Sequence, residues 1–461
     1  MIYLENKEEL EEIISELLTK KQYHSLKEFL SELEPADIGQ LFDDFPPTSL
    51  PILFRLLSKE QAAEVFVELD SDTQELLIAG FSDMELKEIF DELYLDDTVD
   101  IIEEMPANVV KRILHHADPE TRANINEILK YPKDSAGSIM TIEFVHLKKD
   151  MTVADAFMRI RRTGIDKETI YTCYVTDENR VLLGLVSVKD LLLADEGELL
   201  EDIMETNIIY VNTLEDKETA AQSFEKYDFL ALPVVDNEQR LVGIITVDDA
   251  IDVIQEEATE DIEKMMAITP TDKPYMKVGV LETCKARIPW LLFLMISSSF
   301  TEAIITSFEA ALSTCVVLTA FIPMLMGTGG NSGGQASVTI IRSMSLGDVE
   351  MKDILKVLWK EFRVSLLCGV LLGIASFIKT LLMNSDTIAA SGQNAVLVAL
   401  VVSISLLLTV IIAKLIGCSL PMLAKKLGFD PAVMASPFIT TIVDAISLIV
   451  FFQTAVSILN I

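Results

Sequence analysis

Histidine and cysteine are scarce: 4 His and 5 Cys occur in 461 residues. Cys173, Cys284, Cys315, Cys368 and Cys418 are scattered, with no CxxC pair, so neither a structural zinc nor a disulfide framework is expected. Three of them fall in apolar segments, where Cys serves as a small hydrophobe. His24, His115, His116 and His146 form no ligand pattern either, and the His115-His116 pair marks a helix end. Basic residues are also few, 37 Lys/Arg against 72 Asp/Glu, for a net charge of −35. Such acidity argues against nucleic acid, whose phosphates need a basic surface. The start MIYLENKEELEEII lacks the basic residues and long apolar run of a signal peptide. No nucleophile–base constellation, phosphate loop or metalloprotease motif occurs, and an enzyme is not expected.

The acid is confined to one part of the chain. From Cys284 onward there are 11 Lys/Arg and 9 Asp/Glu, a net charge of +2, which leaves −37 on the preceding residues. Solubility is the ordinary use of such a charge. Here the carboxylates cluster on particular helix faces, which points to a cation partner as well.

Residues 284–461 read as five apolar spans near the ~20 residues that cross a hydrocarbon core. They run Ile288–Phe308, Leu312–Ile341, Val364–Met383, Ala395–Ile416 and Ala432–Leu459; the second and fifth contain breakers. Lys285 and Arg287 precede the first span, Arg342 to Arg363 separate the second and third, and Lys425-Lys426 separate the fourth and fifth. The opposite loops, around Glu309 and Asn384–Asn394, have no Lys or Arg. Cytosolic loops carry the positive charge. The chain is therefore expected to be multi-pass in the cell membrane, with the acidic part cytosolic and the C-terminus outside.

Two features in the spans suggest a pathway. Pro323 is followed by GTGGNSGGQ, with Gly329, Gly330, Asn331 and Gln335 as candidate pore-lining positions beside Pro323. Glycine permits close helix packing or an unwound cavity lining, and the amides favour the lining. Asp444 lies in SPFITTIVDAISLIV, and an ionised Asp at a helix centre costs about 2.5–3.5 kcal/mol on the mildest scale. No basic residue in that span pairs with it, so a water-filled pore is favoured over a buried, protonated acid. Glu302 and Lys379 fall nearer the outer ends.

In the acidic part, TDENRVLLGLVSVKDLL (Thr176–Leu192) repeats as VDNEQRLVGIITVDDAI (Val235–Ile251), offset by 59 residues. Each copy reads as strand, turn, strand, helix. The duplication resembles a tandem cystathionine-β-synthase (CBS) pair over about 138–257, a regulatory α/β module that often binds adenine nucleotides. The G-h-h-[ST]-x-x-D pattern of both copies leaves ATP binding and a purely structural pair equally open. Residues 1–133 read as short amphipathic helices punctuated by Pro35, Pro46, Pro47, Pro51, Pro106 and Pro119, an all-α stack of either hand. Residues 258–283 read as a connecting helix. Carboxylates sit one helical turn apart at Asp96/Asp100 and Asp249/Asp252, and on one face at Glu257, Glu260 and Asp261.

This order of acidic helical domain, CBS pair, connecting helix and five spans, with GTGGNSGGQ in the second, resembles the MgtE family of magnesium channels. The resemblance implies a homodimer with its pore between two membrane domains. Asp444 would hold hydrated Mg²⁺, helped by the carbonyl of Thr440. It implies regulatory Mg²⁺ on Asp96 and Asp100 of the helical domain, and on Asp216, Glu218, Asp228, Asp249 and Asp252 of the second repeat. At the connecting helix, termed the plug (about Thr259–Thr283), the positions are Glu257, Glu260 and Asp261, with Asp430 at the mouth of the fifth span. The family often has Gly-Asn-Gln where this chain has Gly333-Gly334-Gln335, one polar amide fewer. The expected function is Mg²⁺ import closed by cytosolic Mg²⁺. A coupled carrier of divalent cations such as Co²⁺ or Mn²⁺ is the alternative. A membrane-anchored nucleotide sensor is a weaker one, since an anchor needs neither Asp444 nor the glycines.

Overall fold

The computed structural model describes residues 7–271, 275–434 and 436–459. The chain divides into two units, Met1–Ile254 and Gln255–Ile461.

In the first unit, short helices α1–α10 run from Lys7 to Ile128 and pack around one apolar core. Among them are α7 (Asp83–Phe90), α8 (Leu95–Glu104), α9 (Ala107–His116) and α10 (Pro119–Ile128). Prolines open helices here, since residue N1 needs no N–H partner: Pro35 and Pro119 occupy the first turn of theirs. Arg112 of α9 fastens the stack by donating to the carbonyls of Ile78 and Phe81 and to the Asp83 carboxylate.

The duplicated segments fold as the sequence pattern requires. The first repeat contains β1 (Phe144–Lys148), α11 (Val153–Thr163), β2 (Thr169–Thr176), β3 (Leu182–Ser187) and α12 (Val188–Leu193), followed by the short helix α13 (Leu200–Ile203). The second contains β4 (Val211–Asn212), α14 (Lys217–Tyr227), β5 (Ala231–Val235), β6 (Leu241–Thr246) and α15 (Val247–Met265). Each sheet has its first two strands parallel and its last two antiparallel. The turns are built alike. Asp177 accepts from the N–H groups of Asn179 and Val181, and Asp236 from those of Glu238 and Arg240. Leu241 N donates to Arg180 O and Leu182 N to Gln239 O, so the two hairpins are stitched together.

The connecting helix departs from expectation. It is continuous with the second repeat as α15 and stops at Met265, where Ala267 takes φ 56° and Ile268 N reaches back to Glu263 O. That six-to-one bond is a Schellman ending, and Pro270 follows it. Among the described residues helix resumes at Val280, so the expected 258–283 helix is interrupted after Met265; Asp272, Lys273 and Pro274 lie outside the described residues.

The second unit holds five long helices: α16 (Val280–Ser307), α18 (Ile322–Ser345), α19 (Ile354–Met383), α21 (Ala395–Lys426) and α22 (Ser436–Leu459). The expected second span is broken: Glu309–Thr314 forms α17, a 3₁₀ turn spans Val316–Phe321, and α18 starts with Pro323 in its first turn. A short helix, α20 (Ser385–Ala390), joins α19 to α21. Four of the long helices are apolar enough to cross a membrane. The remaining one, α18, is diluted by its glycines and amides. It packs against α21 and α22, and its glycines are the reason. A Cβ on Gly417 would stand 2.2 Å from Gly333 O, so α21 and α18 touch backbone to backbone. Gly417→Ala should therefore cost about 1–3 kcal/mol by overpacking, read as a lower Tm of the purified protein in detergent. Gly327→Ala, with nothing within 4 Å of the new methyl, should leave Tm unchanged or slightly raised.

Candidate functional site

The carboxylates of Asp96, Glu143 and Glu168 converge in the first unit, with one oxygen of each within 4.8 Å of the others. Each comes from a different place. Asp96 stands in the first turn of α8, Glu143 just before β1, and Glu168 just before β2. Backbone bonds fix the meeting: Glu168 N donates to Glu143 O at 2.9 Å, and Leu95 N donates to the Glu143 carboxylate at 3.0 Å. Asp96 is only 8% exposed, and one Glu168 oxygen is buried with no hydrogen-bond partner.

Burial and mutual repulsion lift these acids out of their ordinary range. Burial, then Asp249 and Glu168, push Asp96 well up. Burial, then Asp249 and Asp248, raise Asp97 to about 7; burial, then Asp249 and Asp97, raise Glu168 to about 8. Asp249 is raised to about 6 by burial, although it accepts a bond from the Thr246 hydroxyl. An all-oxygen, acid-rich set with an orphaned lone pair suits a hard divalent cation that keeps part of its water shell.

Of the residues singled out in the sequence, Asp96 and Asp249 interact here; Asp97, Glu143, Glu168 and Asp248 were missed. Asp100 and Asp252 lie one turn further along their helices and are exposed. Asp216 caps α14 through Glu218 N, Glu218 accepts from Gln222, and Asp228 ends the helix in the left-handed conformation at φ 54°. Those three perform local backbone and surface work at the two ends of one 11-residue helix, which parts Asp228 from the other two. The Asp of the repeated pattern also acts locally, since Asp190 and Asp249 each accept from the hydroxyl three residues before, Ser187 and Thr246.

In the second unit, Lys264 joins the acids expected at the plug and the mouth. Its Nζ lies 2.5 Å from Glu260 and 2.8 Å from Asp430. Burial, then Asp430, raise Asp261 on the same helix, with Lys264 opposing. Charge patterning by acids alone hides this: an ammonium occupies the position expected for a metal. Glu257 is half-buried on the same helix.

Among the long helices, a Cβ on Gly330 would meet Thr440 at 2.9 Å and the Asp444 carboxylate at 3.8 Å. The glycine run and the acid of α22 are thus neighbours, and Thr440 stands one turn before Asp444. Gly329 and Gly330, expected to line a pathway, are buried instead: a Cβ on Gly329 would strike Thr409, Ser447 and Val443. Pro323, Gly327, Asn331 and Gln335 form an exposed stripe at four-residue spacing on α18. Sequence reading also missed a buried pair, Lys414 of α21 and Glu361 of α19, at 3.8 Å.

Family models match three stretches: a divalent cation transporter (MgtE) over 322–454, the MgtE intracellular N domain over 33–134, and CBS domains over 136–197 and 200–256. The magnesium transporter MgtE of Thermus thermophilus is 36% identical over 452 residues, 97% of this chain and 98% of that one. The magnesium transporter MgtE of Bacillus subtilis is 32% identical over 96% of each chain. A crystal structure of the cytosolic domain of the Mg²⁺ channel MgtE in complex with ATP covers 52% of this chain and 98% of its own, at 38% identity and TM-score 0.50. With such identity along nearly its whole length, this membrane protein belongs to the MgtE family of magnesium transporters.

Proposed function

We propose that the chain imports Mg²⁺ as a homodimeric channel and that cytosolic Mg²⁺ closes it. The observation that carries the regulatory part is the convergence of Asp96, Glu143 and Glu168 in buried surroundings, with Asp249 acting on them. Opposed carboxylates about 5 Å apart repel by roughly 1–3 kcal/mol per pair at effective dielectrics of 20–80. A bound divalent ion reverses that sign and ties α8 to the start of α15. Moving a conformational equilibrium from 1:99 to 99:1 takes about 5.5 kcal/mol of differential binding, within reach of a few bridged clusters. The helix α15 then carries the change from Asp249 in its first turn to Glu260 and Lys264 near its end. Asp216, Glu218, Asp228, Asp100 and Asp252 would add weaker, exposed contacts.

For permeation, the exposed stripe of Asn331 and Gln335 is the face we assign to the two-fold axis between two copies. Asp444, near the glycine run, holds the ion. One carboxylate per copy attracts Mg²⁺ without stripping its water, which this ion gives up reluctantly. The inside-negative potential drives entry, at about 2.3 kcal/mol per charge per 100 mV. The loop charge supports a C-terminus on the outer side. ATP, present in a related cytosolic domain, is a second ligand that the CBS pair of this chain would take.

Mg²⁺ flux into proteoliposomes tests both parts. Asp444→Ala should lower flux at least tenfold, and normal flux would remove Asp444 from the pathway. Asp96→Asn/Glu168→Gln/Asp249→Asn should conduct normally yet lose shut-off by internal Mg²⁺; intact shut-off would sink the regulatory site. Protons should compete with the ion. The raised acids of the first unit, at about 6 to 8, bind more protons folded than unfolded, so without metal they lower stability as pH rises through that window. Added Mg²⁺ should accordingly raise Tm more at pH 8 than at pH 5. An equal gain at both pH values would show that these carboxylates do not hold the ion.

A further inference from the structure

His146, on edge strand β1, donates to or accepts from Arg159 of α11, with Nε2 and the guanidinium nitrogen 2.8 Å apart. The charged groups acting most strongly on this half-buried imidazole are all cations: Arg159, Arg180, Lys148 and Lys167. Burial, followed by those cations, holds His146 down at about 4, so it stays neutral and can accept from Arg159. Lys148 bonds the hydroxyl of Thr176 and the carbonyl of Asp177. Among the described residues none of the four cations is in an ion pair. That is unusual in a part of the chain carrying −37, where other cations find acids: Arg55 with Glu85, Lys59 with Glu88, Arg112 with Asp83.

The second repeat supplies an internal control. Superposing the N-caps Thr152 and Asp216 and the paired strands sets His146 against Tyr210, Lys148 against Asn212, and Arg159 against Ser223. The hairpins set Arg180 against Gln239. At these positions the second repeat is neutral and self-satisfied, with Gln239 donating to the Tyr210 hydroxyl at 3.2 Å. The same fold therefore needs no charge here. Two half-buried cations, Lys148 and Arg159, with the exposed Arg180 acting on the same imidazole, carry a solvation and repulsion cost that an anion would recover. A planar guanidinium beside an ammonium matches phosphate oxygens in particular.

We infer that Arg159, Lys148 and Arg180, arranged around His146, form an anion site for a phosphate group on the first repeat, absent from the second. The phosphate belongs either to a free inorganic anion or to a nucleotide. Calorimetry on the full-length protein in Mg²⁺-free detergent buffer, with pyrophosphate and with ATP as separate titrants, tests this. Wild type should bind pyrophosphate. Arg159→Gln/Arg180→Gln should weaken it at least tenfold, and Arg240→Gln, which removes an exposed cation paired with Asp236, should not. ATP weakened in parallel identifies nucleotide phosphates as the occupant, while ATP binding unchanged identifies a free anion. The single variant Arg180→Gln, at an exposed hairpin position, covers the case in which the double variant unfolds, and should weaken pyrophosphate measurably. No binding of pyrophosphate or ATP by wild type, or equal binding of both by wild type and the variants, would overturn the site.

Discussion

The carboxylates of Asp96, Glu143 and Glu168 share one small space in the first unit, and burial together with repulsion from Asp249 raises Asp96 and Glu168 above the ordinary carboxylate range. The four segments that supply these four acids are the start of α8, the lead-ins to β1 and β2, and the first turn of α15. The bond from Glu168 N to the Glu143 carbonyl holds the two lead-ins in register whatever the charge state, while Leu95 N at the start of α8 donates to the Glu143 carboxylate itself. The helical stack and the CBS pair therefore meet through an acid-rich joint whose energy depends on protonation. An apolar joint there would be stable and unresponsive.

The second unit uses cations differently. Lys264 links Glu260 to Asp430 with a side chain, and Lys414 faces Glu361 between two long helices. A tethered ammonium is present at any ion concentration, so these pairs hold geometry constant. The cluster of the first unit is built instead from carboxylates on separate segments, with Asp249 acting on Asp96 and Glu168.

Much of the architecture was legible because it follows from periodicity. The duplicated hairpins, the apolar spans and the punctuating prolines are local patterns, and they reappear as elements at nearly the expected places. Helix ends were harder: the stop at Ala267 depends on one residue entering the left-handed region, which no composition signal announces. The carboxylate cluster was half visible. Asp96 and Asp249 belonged to helix-spaced pairs, whereas Glu143 and Glu168 are brought together only by the parallel pairing of β1 and β2. Lys414 and Glu361 were hidden for the same reason, lying on different helices. Gly329 and Gly330 were read as lining because glycine serves packing and cavities alike, and only the neighbours at each Cβ position distinguish the two.

The backbone contact between Gly333 and Gly417 has a mechanical consequence. With no side chains between them, α18 and α21 have no bearing surface on which one helix can roll over the other. A turn of α18 about its own axis would drive carbonyl into chain. The stripe holding Asn331 and Gln335 is thus keyed to the α21 scaffold, and any displacement of it must come from whole helices tilting or parting as a block.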